Sequence, residues 1–509
     1  MNRRKGKNLS VCGFLAACSF LWLAPTMSAE ENHTRALVIR EIKHDVSPPL
    51  RDLDSASPVE TAHQHGLSLG MITPLISTTA VIDFDGVPAA IGNLYGPPDN
   101  NGAVGPTQYV QWVNAMIGIF DKTTGVLQKK LLGNAPWKGF GSQCFPNDTQ
   151  GLIVQYDKLA GRWVLTHAGI NGTAYAQCVA VSTSSDALGT YNLYAFQIST
   201  SVGGPSLLPL KIKLGVWPDA YYVGTDTHPA GALACALDRK SMLAGLAATA
   251  QCFVASTKVK GLLPSDLDGA RLPPSGSPNY FFGLGPLALN MWSFHVDFTT
   301  PSNSTLSAPT RIMVASYQQA CPGSGGFCIP QLDTPQTVNS NSDRLMYRAA
   351  YRNFGDHESI VLNHTVNPPT QAYGGIRWYE IRSPGTTPKI RQLGTYSPDS
   401  ISRWMGSIAM DKVGNIALGY SASDVTIHPA IRYTGRTPKD ALGTLEPEAS
   451  IIEGGGSQQA VNHAWGTFTS LTIDPTDDCT FWYTNQYYKT DDETYWDTHI
   501  GAFKFLSCM

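Results

Sequence analysis

Seven times between Gly102 and Gln486 the chain repeats one local pattern: a short apolar run, a tight polar turn, then a longer apolar run. Two copies read GLIVQYDKLAGRWVLTHAG and GSIAMDKVGNIALGYSAS. With Thr107, Asp157, Asp226, Pro286, Asn353, Asp411 and Asp474 marking the turns, the copies lie 50, 69, 60, 67, 58 and 63 residues apart. Each step has room for two more strands. A hairpin unit recurring at this interval cannot bury its apolar faces alone and must pack against its neighbours. The predicted fold is all-β, a seven-bladed β-propeller, with six or eight blades as alternatives.

The 509 residues are 42% hydrophobic and only 15% charged, with 48 glycines and 34 prolines spread along the chain. That suits many short strands joined by turns. The net charge is −3, and no run of Lys or Arg follows the first seven residues, which argues against nucleic-acid binding. Arg3, Arg4, Lys5 and Lys7 precede an apolar stretch from Leu9 to Leu23 and a small-residue zone from Ala24 to Ala29. Residues 1–29 are expected to be a signal peptide, making the protein secreted or periplasmic. Leu15-Ala16-Ala17-Cys18 also matches a lipobox, so a lipoprotein anchored through Cys18 is the alternative. No other stretch has the roughly 20 apolar residues of a membrane span. Eight cysteines remain beyond the leader, and their spacing within consecutive repeat units predicts Cys144–Cys178, Cys235–Cys252, Cys321–Cys328 and Cys479–Cys508.

Residues 30–78 are polar without strand alternation and are expected to form an arm. The propeller domain is expected over 79–509, with loop insertions near 262–278 and 308–341. A short strand at Val81–Phe84 is expected to complete the last blade beside a terminal strand from His499 to Leu506, closing the ring. Turn aspartates at 121, 157 and 411, each followed by a glycine, are expected to cap their own backbone.

A propeller binds ligands at one mouth of its channel. The repeats place Asp99, Asn100, Asn101, Asp148, Thr149, Trp217, Asp219, Asn279, Asp343, Arg344, Arg403, Trp404, His463 and Trp465 near it. Of these, Asp99, Asn101, Asp148, Trp217, Asp219, Arg344, Arg403, Trp404 and Trp465 form the candidate ligand-binding set, since indoles stack on sugars and Arg and Asp fix polar substituents. The competing expectation is that the tryptophans anchor blade cores and the arginines pair inside the channel. Asp356-His357-Glu358 with His364 lacks the four-residue histidine spacing of a zinc protease and is expected to be a turn network. No catalytic residue stands out. Calcium is a candidate cofactor, because Asp99-Asn100-Asn101, Asp474–Asp478 and Asp491-Asp492-Glu493 group hard oxygen ligands, though without EF-hand spacing.

Pro97 to Pro106, Trp217-Pro218-Asp219-Ala220-Tyr221-Tyr222, Arg344-Leu345-Met346-Tyr347-Arg348 and Gly375-Ile376-Arg377-Trp378-Tyr379-Glu380 resemble a family of exported bacterial β-propeller proteins loosely grouped with sialidases. So do the runs Tyr351 to His364, Arg403 to Tyr420 and Asp474 to Thr484. The resemblance covers roughly residues 90–508 and implies a secreted propeller, with no substrate attached. The Ser-x-Asp-x-Gly-x-x-Trp boxes of sialidases are absent. Arg344, Arg377 and Arg403 could supply their arginine trio, but the three stand in different registers. Relatives carry Trp-Gly-Asp where this chain has Trp465-Gly466-Thr467, so a catalytic carboxylate there would be missing. The expected function is binding of an extracellular ligand, carbohydrate first, by a monomer. A sialidase-like hydrolase or lyase and a surface module for protein partners are the alternatives.

Overall fold

The computed structural model describes residues 35–56, 76–89, 96–145, 150–199, 206–227, 231–322, 326–370 and 372–509. The expected leader, with Cys12 and Cys18, lies outside the described residues, as do Asp148 and Thr149. Among the described residues the chain is all-β apart from one short helix, Arg239–Leu243, and a few 3-10 turns.

Antiparallel four-stranded meanders are the unit of construction. One runs Asn100–Val104, Gln108–Val113, Met116–Asp121, Leu127–Leu132; another runs Ser402–Met410, Ile416–Asp424, Ile427–Arg436, Ala449–Ile452. The last, Ser470–Ile473, Phe481–Tyr487 and Asp497–Phe505, takes its fourth strand, Thr78–Asp85, from the other end of the chain. That is the ring closure expected at Val81.

Two nine-stranded sheets each contain further meanders. In the first, Gln150–Asp157 to Tyr191–Phe196 and Leu210–Val216 to Thr249–Ser256 are bridged by Leu37–Val46, which pairs antiparallel with both. In the second, Leu263–Asp268 pairs antiparallel with Asn279–Gly285 and parallel with Ala349–Asn353. The first strands of successive meanders neighbour one another. The series Asn100, Gln150, Leu210, Leu263, Ala349, Ser402, Ser470 returns to its start, because Asn100–Val104 also lies against Ser470–Ile473. A closed series of inner strands is the architecture of a β-propeller.

The turns follow their sequence chemistry. Asp121 Oδ1 accepts the backbone N–H groups of Thr123 and Thr124, and Gly125 takes φ of 70°. Asp411 Oδ1 accepts those of Val413 and Asn415, with Gly414 at φ of 90°. All four expected disulfides are present.

Two expectations are corrected. The polar stretch 30–78 contains the strand Leu37–Val46. Along it only Ile39 is buried, so backbone pairing to two sheet edges holds it and apolar alternation does not announce it. The expected loop 262–278 contains the fully buried strand Leu263–Asp268. Its Pro264, Asp266 and Asp268 read as loop residues, yet both carboxyl groups pair with Arg348. The 308–341 insertion carries a hairpin, Phe327–Gln331 with Thr334–Asn339, beside its loops.

Candidate functional site

The three expected ligand-stacking tryptophans are core residues. Trp217 is 1% exposed, stands edge-on to Tyr351 at 4.7 Å, and donates its indole N–H to the Ser277 carbonyl. Trp404 and Trp465 are equally buried and lie 5.4 Å apart, in an apolar cluster that includes Ile329 and Val338 of the 308–341 insertion. Arg403 is fully buried. It bonds Asp399 at 2.8 Å and Glu448 at 2.7 Å, with the Tyr396 ring 5.4 Å away. Asn279 and Ser265 exchange two bonds between strands, and Asn101 Oδ1 accepts the Val154 N–H. His463 bonds the Thr337 carbonyl. Asp219 is exposed and accepts the Tyr222 hydroxyl. None of these converges on a shared point.

Asp99 and Arg344 do belong to one cluster, in company the sequence reading passed over. Asp99 Oδ1 accepts the backbone N–H of Thr467 at 3.0 Å, and the Thr467 hydroxyl accepts a bond from Lys211 Nζ at 3.0 Å. Lys211 and Lys213 both approach the Phe468 ring, at 5.5 and 3.0 Å. Arg344 bonds Asp343, which also takes Lys260, and its Cβ lies 3.0 Å from where a Cβ on Gly261 would stand. Gly261 N–H in turn donates to Asp226. Lys211 and Lys213 begin one inner strand, Asp226 ends the strand beside it, and the other groups lie in the segments leading into four further inner strands.

Burial pushes the Lys213 ammonium well below the ordinary lysine range; Lys211 and Arg344 push the same way, against Asp226 and Asp99. Burial likewise pushes the Asp226 carboxyl up, opposed by the Gly261 N–H and by Arg344. At Asp343 burial raises the carboxyl, but Arg344 and Lys260 outweigh it and hold it below its usual value. The signal for the two lysines was present in Leu210-Lys211-Ile212-Lys213-Leu214-Gly215-Val216, where an inner strand buried on both faces should be continuously apolar.

A second polar network lies deeper and is saturated. Arg348 Nε bonds Asp266 at 2.7 Å, its Nη2 bonds Asp268 at 2.7 Å, and Lys158 adds a bond to Asp268 at 3.1 Å. Gln155 and the Val216 N–H complete the shell of Asp266. Burial pushes Asp266 up, whereas at Asp268 the charges of Arg348 and Lys158 overcome burial and hold it low. The cavity beside them is about 20 Å³ and holds one water at most. This network ties four inner strands together and leaves no room for a ligand.

The other polar candidates are spent locally. His357 bonds Asp356 on an exposed turn, Glu358 accepts the Tyr351 hydroxyl, and His364 is buried against Tyr379. Arg377 bonds Thr395 and the Ala315 carbonyl, apart from both Arg344 and Arg403. Of the acidic clusters, Asp474 pairs with Lys122, Asp478 with Arg352, Asp477 and Asp492 accept turn N–H groups, and Asp491 accepts the backbone N–H of Ser457. Among the described residues no group of three or more His, Cys, Asp or Glu is arranged to hold a metal ion.

No protein-family model and no curated protein matches the chain. Among solved structures it is similar to Drosophila Plexin A in complex with Semaphorin 1b, with a TM-score of 0.39 and 7% identity over 84% of this chain and 88% of that one. It is also similar to an α-L-arabinanase of Penicillium chrysogenum complexed with arabinobiose (TM-score 0.37, 6% identity, 84% and 98% covered). A family 93 α-L-arabinofuranosidase of Fusarium graminearum, also with arabinobiose, matches at TM-score 0.36 and 8% identity, with 85% and 99% covered. Such scores carry no residue correspondence, and the site is read from this chain's own side chains.

Proposed function

We propose that the chain is an exported, seven-bladed β-propeller that binds an extracellular carbohydrate at the mouth formed by Asp99, Lys211, Arg344 and Thr467. The observation that carries this reading is that Asp99, Thr467 and Lys211, from separate repeat units, bond in series beside the buried Phe468 ring, with the Arg344 charge acting on the neighbouring Lys213. Donors and acceptors grouped together are what a polyhydroxylated ligand requires. Four disulfides suit an oxidising, extracellular setting.

A glycoside hydrolase is the second reading. Asp226 supports it, since its carboxyl is raised by burial and sits beside Lys213 and Arg344, and a protonated carboxyl serves as a general acid. A glycan array run with parallel turnover assays tests both. Lys211→Met is expected to weaken glycan binding by about tenfold or more, the worth of one charge-assisted hydrogen bond, while Trp217→Phe binds as the parent does. Hydrolysis, if observed, is expected to fail in Asp226→Asn. Binding that ignores Lys211 and depends on Trp217 in a folded variant would refute the mouth as the site.

A further inference from the structure

Lys213 is fully buried on an inner strand, and its ammonium has almost nothing to neutralise it. Its only hydrogen bond among the described residues is a long one, 3.5 Å, to the carbonyl of the adjacent Ile212, and it forms no ion pair there. The Phe468 ring lies 3.0 Å away, and two of the charges acting on it, Lys211 and Arg344, are cations. Asp226 and Asp99 act on it as well, but each is bonded elsewhere, to the Gly261 and Thr467 N–H groups. Burying an amine without a counter-ion or a good hydrogen bond is unfavourable and pushes it toward its neutral form. An apolar residue, like the neighbouring Ile212, Leu214 and Val216, would avoid that cost.

The backbone is shaped to place the cations together. The register slips between Leu210 and Lys213, and Lys211 takes φ of 52°. Bulges of this kind re-aim side chains next to functional sites. Lys211 spends its ammonium on a neutral hydroxyl, that of Thr467. Arg344 uses Nε and Nη2 on Asp343, and no bond to its Nη1 is formed among the described residues.

We infer that the carbohydrate bound at this mouth is acidic, and that its carboxylate or sulfate is the missing counter-ion, held by Lys211 and Arg344 over the buried Lys213. This inference rests on the carbohydrate reading above. The ligand's anion takes the place of the Thr467 hydroxyl at Lys211 and draws Lys213 to its charged form. Charge-assisted bonds to the Lys211 ammonium and the Arg344 guanidinium, with the Lys213 charge behind them, then select acidic over neutral sugars.

Four probes test it: oligogalacturonate, its methyl ester, a sulfated galactan oligosaccharide and its desulfated form, each titrated calorimetrically at low salt. At least one acidic probe is expected to bind about tenfold or more tightly than its neutral partner. Which acidic probe does so identifies the anion. The preference is expected to vanish in Lys213→Met. It is also expected to vanish in Thr467→Asp, which supplies the chain's own carboxylate beside Lys211. Both variants are expected to melt at or above the parent temperature, because Lys213→Met removes a buried amine that has no good partner and Thr467→Asp sets a carboxylate beside Lys211. Acidic and neutral partners binding alike would overturn the acidic ligand and leave the carbohydrate reading standing. A Lys213→Met protein that melts lower yet keeps the preference would make Lys213 structural and end the proposal. If none of the four probes binds, and the glycan array finds no other ligand, both readings fall together.

Discussion

Arg403 and Lys213 are both fully buried cations on inner strands, and their partners separate them. Burial works against the Arg403 charge, but Glu448 and Asp399 more than restore it, and Glu448 also takes bonds from Arg432 and Tyr420. Removing one member of such a group strands the rest. Arg403→Met is therefore expected to cost about 3–5 kcal/mol, seen as a lower denaturant midpoint, with ligand affinity of the folded protein unchanged. Trp217→Ala is expected to cost about 3–5 kcal/mol by opening a cavity beside Tyr351 and Tyr280, again without a specific loss of binding. In sequence these two residues looked like binding residues because an indole or guanidinium suits a sugar as well as it suits a core. What decides is the partner, and Glu448 lies 45 residues beyond Arg403 in a segment with no repeat signal. Lys213 escaped notice for the opposite reason: a single lysine in an apolar strand carries no motif.

Among the elements, the closing strand Thr78–Asp85 depends on a local charge cluster. Asp85 accepts bonds from His499, Lys489 and Tyr487. Burial alone would raise its carboxyl, but the His499 and Lys489 bonds bring it from 3.8 down to about 2. A carboxylate depressed in the folded state stabilises fully above its unfolded value and loses that contribution as pH falls through its folded value. The window here runs from about pH 4 to about pH 2, and the contribution is about 2 kcal/mol. Asp85→Asn is expected to flatten that part of the stability profile in urea titrations; an unchanged slope would mean the cluster does not hold the strand. Cleaving the Cys479–Cys508 staple, as a double serine variant, is expected to cost about 2–4 kcal/mol. Ring closure was legible because Val81–Phe84 and the terminal run both show strand patterning. The strands Leu37–Val46 and Leu263–Asp268 were not, since one is held by backbone pairing while mostly exposed and the other buries acids whose partner is some 80 residues away.

At the scale of the whole molecule, the repeat period was enough to predict that the inner strands share one channel, but not which side chains face it. Three of them slip register near their mouth ends: Gln150 to Ile153, Leu210 to Lys213, and Trp404 to Ser407. Each slip changes the face that a residue presents. The repeat pattern took Tyr221–Thr227 for an inner strand, whereas Leu210–Val216 is the one; Trp217 therefore follows an inner strand instead of preceding it, and Lys211 and Lys213 were left out. Closure of the ring brings Asp99, Lys211, Arg344 and Thr467 together from across nearly 370 residues of sequence. The most direct test is a crystal structure of the protein with the tightest-binding oligosaccharide from the array. The account predicts sugar density at this mouth, within hydrogen-bond reach of Lys211 and Arg344. Sugar seated elsewhere, on the Trp404–Trp465 cluster or at the Asp356–His357 turn, with the mouth unchanged, would contradict it.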